Sequence, residues 1–90
     1  MILNPKLLIV DDERGIVDMI QSYFQTQYDI LTAYSGQEAL KKAACKPDLI
    51  LLDINMPGMD GLTVCQQIRE HIACPILFLT ARIESSDKII

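Results

Sequence analysis

Asp53 closes the apolar run Leu49-Ile50-Leu51-Leu52 and opens the loop Ile54-Asn55-Met56-Pro57-Gly58-Met59-Asp60-Gly61. A carboxylate at the end of a wholly apolar strand, followed by a Pro/Gly turn, belongs at the rim of a sheet. The same placement occurs where Lys6-Leu7-Leu8-Ile9-Val10 runs into Asp11-Asp12-Glu13. A third run, Ile76-Leu77-Phe78-Leu79, ends in Thr80-Ala81. Acid, acid and hydroxyl at three strand ends suggest one shared site, suited to a divalent metal and a phosphoryl group.

Carboxylates crowded together repel. Two unit charges about 4 Å apart cost on the order of 4 kcal/mol at an effective dielectric of 20. A stable fold does not require that cost, so a cation is the natural explanation. Mg²⁺, small and hard, suits oxygen ligands and uses one or two carboxylates together with phosphate oxygens. Asp53 can attack a phosphoryl donor to form an acyl phosphate, with the metal neutralising charge between them. Thr80 can donate a hydrogen bond to a phosphoryl oxygen, and the small Ala81 leaves room beside it. A simpler reading stays open for Asp11-Asp12-Glu13, which could do no more than cap the first helix and complement its dipole.

The elements that must position these residues alternate strand and helix. The first helix starts just after Asp12 and carries Ile16, Ile20, Tyr23 and Phe24 inward at spacings of three and four. A short strand falls around residues 29–33. Ser35-Gly36-Gln37-Glu38 forms a capping box, in which the Ser35 hydroxyl accepts from the Glu38 N–H and the Glu38 carboxylate reaches the Ser35 N–H. A helix follows over about residues 36–44, with Ala39, Leu40 and Ala43 inward, and Lys46-Pro47 stops it. The strand 49–52 comes next. Gly61 then begins a helix presenting Leu62, Cys65 and Ile68, and Cys74-Pro75 ends that unit before the strand 76–79. The tail from Glu84 to Ile90 reads as the opening of a fourth helix. Strands that are continuously Leu/Ile/Val are buried on both faces of a parallel sheet. The βαβαβαβ pattern therefore predicts an α/β layer structure, in which all strands end on one edge and ligands bind there.

Ninety residues, half of them hydrophobic, make a single domain spanning residues 1–90. The net charge of −4 argues against direct binding of nucleic acid or an anionic membrane. Lys41, Lys42 and Lys46 form the one basic cluster and read as a solvated helix face. No apolar stretch approaches the ~20 residues that span a bilayer, and the N-terminus lacks signal-peptide features, so a soluble, cytoplasmic protein is expected. Cys45, Cys65 and Cys74 show no C-x-x-C spacing, which speaks against a disulfide framework. His71 and Cys74 could be half of a metal site, but they read better as a helix end and a turn.

Three stretches resemble the receiver domain of bacterial two-component response regulators: 8–13 (LIVDDE), 51–61 (LDINMPGMDG, preceded by Leu51) and 75–82 (PILFLTAR). The resemblance covers essentially the whole chain. Thr80-Ala81-Arg82 and Asp87-Lys88-Ile89 look most like the subfamily whose receivers precede a winged-helix DNA-binding domain. The resemblance implies a flavodoxin-like open parallel sheet with helices on both faces and strand order 2-1-3-4, the fifth strand being absent. It implies a module of a phosphorelay that controls an output, transcription in that subfamily. By that resemblance, Asp53 is expected to take a phosphoryl group from the phosphohistidine of a sensor histidine kinase. By the family pattern, Asp12 is expected to ligate Mg²⁺ directly, Asp11 to support it through water, Asp53 to be a further ligand and Asn55 to contribute its backbone carbonyl. The same pattern implies that Thr80, with Ala81 beside it, is the switch and that Pro57 and Gly61 shape the loop. Such a module is a phosphoacceptor that takes part in its own phosphorylation and has no external substrate, so it is not a conventional enzyme.

A complete receiver of this kind continues for roughly 30 residues more, about one βαβ unit, with most of a fourth helix, a fifth strand bearing a lysine, and a fifth helix. Without that lysine the phosphoryl charge loses a partner, a loss typically worth ~10²–10³ in rate. An inactive fragment that keeps its metal pocket is therefore one alternative. An aspartyl-phosphate hydrolase is another, although such enzymes resemble D-x-D on the first strand. The strand 76–79 is expected to be an exposed apolar edge, open to self-association.

Overall fold

Leu7 to Val10 are all buried, so β1 (Lys6–Val10) has no solvent-facing side between its neighbours. That is the burial a central parallel strand requires. The computed structural model describes residues 4–79, with β1 followed by α1 (Arg14–Phe24), β2 (Asp29–Ala33), α2 (Gly36–Ala43), β3 (Leu49–Asp53), α3 (Gly61–Arg69) and β4 (Ile76–Leu79). Thr80, Ala81 and the expected start of a fourth helix lie outside the described residues. All pairings are parallel and the order is β2-β1-β3-β4, as expected. β4 is an outer strand among the described residues, and Leu77 and Phe78 on it are exposed.

Side chains alternate across the sheet with a period of two, and the core divides accordingly. Leu8, Val10, Ile50 and Leu52 pack with Ala39 and Ala43 of α2 and with Val64 and Ile68 of α3. Leu7, Ile9 and Leu51 pack on the other face against Val17, Ile20 and Phe24 of α1. Helices thus cover both faces. The register is set early. Lys6 N–H donates to Asp48 Oδ2 (2.8 Å) and Asp48 N–H donates to the Lys6 carbonyl (2.8 Å).

Helix ends follow local chemistry. Ser35 caps α2 through its hydroxyl, which accepts from Glu38 N–H at 3.1 Å, and Asp60 caps α3 by accepting from Thr63 N–H at 2.9 Å. The Thr63 amide holds the Asp60 carboxyl below the usual carboxylate range. The capping box at Ser35 closes differently from expectation: Glu38 Oε1 accepts from Tyr34 N–H (2.6 Å), one residue before the cap. α2 stops before Pro47, but through a left-handed Lys46 (φ 60°) and not an extended one. Lys42, expected on a solvated face, is half-buried and donates from Nζ to the Thr32 carbonyl at 2.9 Å.

Two inward faces are corrected. Tyr23 is 77% exposed, whereas Val17 is completely buried. With 3.6 residues per turn, Val17, Ile20 and Phe24 share one stripe and Tyr23 falls beside it. Tyr23 instead meets Phe24 edge-on at 5.0 Å between ring centroids. Leu62 is likewise exposed and Val64 takes the buried position, because the stripe of α3 runs through Gly61, Val64 and Ile68. Val17→Ala is expected to lower stability by about 1–3 kcal/mol. Tyr23→Ala is expected to stay within ~0.5 kcal/mol. Urea unfolding of the two variants checks the assignment, and equal losses would contradict it.

Candidate functional site

The site lies where β1 and β3 run out. Val10 is level with Leu52 and with Ala33, so Asp11 and Asp53 emerge side by side at the carboxyl edge of the sheet. Asp11 continues the ladder for one more bond, its N–H donating to the Ala33 carbonyl at 3.1 Å. Asp53 is the last residue of β3, level with Leu79 of β4. Asp11, Asp12 and Asp53 each offer a carboxylate oxygen, and these oxygens lie within 4.8 Å of one another. Among the described residues this is the one group of three or more potential ligand side chains, and His71 and Cys74 belong to no such group. Cys45, Cys65 and Cys74 are free thiols, and burial raises the pKa of Cys74.

The three carboxylates are not equivalent. Asp11 is 1% exposed and Asp53 5%, while Asp12 is exposed. Asp11 Oδ1 accepts from Glu13 N–H (2.9 Å), but its Oδ2 is buried without a hydrogen-bond partner. A buried carboxylate oxygen with no donor is costly. Burial accordingly pushes the Asp11 carboxyl up to about 6. The Glu13 amide opposes that shift, and the charges of Asp53, Asp12 and Glu13 add to it. Asp53 Oδ1 accepts from Asn55 N–H (3.2 Å), which brings the Asn55 peptide beside the cluster. The helix-cap reading of Asp11-Asp12-Glu13 explains less. Glu13 occupies the N-cap of α1 without a side-chain cap bond, and the first turn holds no acidic residue.

The loop after Asp53 is shaped by close approach. Gly61 N–H donates to the Ile54 carbonyl at 2.9 Å. A Cβ on Gly61 would meet the Asp53 carbonyl oxygen and come within 2.7 Å of Ile54 Cα, both backbone atoms that cannot swing aside. Gly58 has φ +83°, a left-handed turn conformation natural to glycine. Pro57 is exposed in the same turn. The donor set is all oxygen and anionic, with one buried oxygen unsatisfied, and this fits a small hard cation such as Mg²⁺. The strand-end pattern in the sequence locates the cluster; it does not separate the buried Asp11 from its exposed neighbour Asp12.

A parallel sheet carrying an acidic cluster at its carboxyl edge agrees with the family that nearly the whole sequence matches. Residues 7–90 match the response regulator receiver domain family, and the chain belongs to it. It is 48% identical over 91 residues to the alkaline phosphatase synthesis transcriptional regulatory protein PhoP of Bacillus subtilis, covering 98% of this chain and 38% of that protein. To the transcriptional regulatory protein ResD of the same organism it is 45% identical, covering 93% of this chain and 36% of ResD. The chain thus spans less than two-fifths of these relatives. Among solved structures, chemotaxis protein CheY4 of Vibrio cholerae superposes with TM-score 0.83 at 38% identity, covering 92% of this chain and 72% of that one. The N-terminal domain of a response regulator receiver protein from Methanoculleus marisnigri gives TM-score 0.79 at 37% identity, covering 90% and 70%. The fold is flavodoxin-like and the chain is a receiver domain of two-component response regulators, homologous to PhoP-like transcriptional regulators.

The raised Asp11 pKa makes the metal-free protein sensitive to pH. The folded-state value, about 6, lies above the ordinary 3.8, so the native state holds the extra proton between these two. The contribution of Asp11 to stability is therefore most favourable below about pH 4, declines as pH rises from there to about 6, and levels off above. Asp11→Asn removes the penalty. In chelator at pH 7.5 it is expected to be about 1–3 kcal/mol more stable than the parent. Urea unfolding at pH 7.5 and pH 3.5 checks this, with the advantage expected to vanish at the lower pH.

Proposed function

We propose that this receiver domain accepts a phosphoryl group on Asp53 from the phosphohistidine of a sensor histidine kinase, and relays the event to an output that controls transcription. The observation that carries the reading is the triad Asp11, Asp12 and Asp53, with oxygens within 4.8 Å and a buried, unpartnered Asp11 Oδ2. An Asp53 oxygen forms the new P–O bond. The P–N bond of the donor breaks, and the histidine nitrogen keeps its electron pair. The chain is the acceptor in this reaction and turns over no external substrate.

Mg²⁺ is the proposed cofactor, held by Asp11, Asp12, Asp53 and the Asn55 backbone carbonyl; when bound it supplies positive charge to offset the carboxylates and the phosphoryl oxygens. The Asn55 N–H on Asp53 Oδ1 orients the acceptor carboxylate. Gly61 allows the loop to fold tightly against the Asp53 carbonyl. Thr80, with Ala81 beside it, is assigned the switch role; Thr80 follows Leu79, the register partner of Asp53. A cytoplasmic location fits the kinase partnership, and no helix among the described residues is long and apolar enough to cross a membrane. The acidic balance of the chain argues against its binding nucleic acid directly. Exposed Leu77 and Phe78 support self-association with a second copy through the strand Ile76–Leu79.

Incubation with Mg²⁺ and a small acyl phosphate is expected to add the mass of one phosphoryl group, and Asp53→Asn to abolish the gain. No gain in a chain that circular dichroism shows to be folded would favour an inactive receiver. In sedimentation velocity, association is expected to rise with concentration and to weaken in Leu77→Lys. A strictly monomeric profile at high concentration would remove the self-association.

A further inference from the structure

We propose that Tyr34 is a positioning residue for the acidic cluster, holding the Arg14 guanidinium on its ring face and so keeping that cation away from the carboxylates. The proposal rests on the reading of Asp11, Asp12 and Asp53 as a divalent-metal site.

Arg14 opens α1 only two residues after Asp12. Its Cζ stands over the Tyr34 ring, 4.0 Å from the centroid, a cation–π contact. Tyr34 follows Ala33, whose carbonyl takes the Asp11 N–H, so the ring stands at the same sheet edge as the cluster. Its position is fixed twice. The Tyr34 N–H donates to Glu38 Oε1 at 2.6 Å, and the side chain packs against the cluster of Leu7, Ile9, Val17 and Leu51. The displaced closure of the capping box thus has a consequence: the Glu38 carboxylate anchors the residue that carries Arg14.

A guanidinium is always charged and presents a planar fork that matches carboxylates. Asp11, Asp12 and Glu13 directly precede Arg14 in the chain, and Asp18 lies four residues after it on α1. A freed Arg14 competes with a divalent cation for the same oxygens. On the Tyr34 face its charge meets the ring without occupying them.

Isothermal titration with Mg²⁺ at pH 7.5 on the full chain tests this through a double-mutant cycle. Tyr34→Leu keeps apolar bulk and the backbone N–H but removes the ring. It is expected to weaken Mg²⁺ binding about two- to fivefold, the size an exposed cation–π contact carries. Tyr34→Phe is expected to bind as the parent does. In an Arg14→Gln background, Tyr34→Leu is expected to change nothing. An unchanged Kd in Tyr34→Leu, as when Arg14 turns to Asp18, overturns the proposal, and so does an equal loss in both backgrounds. A parent chain that binds no Mg²⁺ would instead sink the metal-site reading and the proposal with it. One measurement needs no variant: the Arg14 Nε–H resonance is expected to be ring-shifted, with and without Mg²⁺. Absence of that shift also overturns the proposal.

Discussion

Parallel pairing of β1 with β3 is the constraint on which the site depends. Both strands are buried, so their peptide groups must be satisfied within the sheet. The reciprocal bonds between Lys6 and Asp48 pin the pair at its start. From that point the two chains advance at the same rise per residue, and Val10 arrives level with Leu52. Asp11 and Asp53 then leave the sheet together. Their proximity is a result of register, reached without any attraction between them.

The same pairing explains why the acids are unfavourably placed. The apolar layers that bury β1 and β3 extend to the strand ends, so Asp11 and Asp53 lie beneath the surface with Asp12 exposed beside them. One oxygen of Asp11 finds a backbone donor and the other none. Local disagreement between residue type and surroundings in an otherwise consistent fold is the mark of a functional position. The loop after β3 shows the complementary device. Gly61 is required at this helix start because any side chain there would strike the backbone of Asp53 and Ile54. Within the first turn of that loop the Asn55 amide donates to the Asp53 carboxylate two residues back.

Helix termini connect the rim of the site to its supports. Asp11 accepts the Glu13 amide at the entry to α1. Glu38 in the first turn of α2 accepts the Tyr34 amide just after β2. Lys42, farther along α2, returns to the Thr32 carbonyl. These bonds tie β2 and α2 into a unit whose outer ring carries Arg14. Charges around the cluster are therefore ordered by hydrogen bonding and packing as well as by Coulomb attraction.

Much of this was legible in the residue order. The strand expected around residues 29–33 coincides with β2, Asp29–Ala33, and the Ser35 cap follows from its spacing to Glu38. The resemblance supplied the strand order, which the apolar runs alone do not dictate. Spacing misjudged Tyr23 and Leu62, because several apolar residues on one helix satisfy a three-or-four rule and only docking against a sheet chooses among them. Residue types along the chain thus determined where strands end in acid, since the buried interior of a parallel sheet excludes charge until the strand emerges. Only the tertiary structure decided which of two adjacent aspartates is buried, which helical face turns inward, and that Glu38 reaches Tyr34. Those outcomes depend on the phase of each element against its neighbours, and phase is set by packing across the chain.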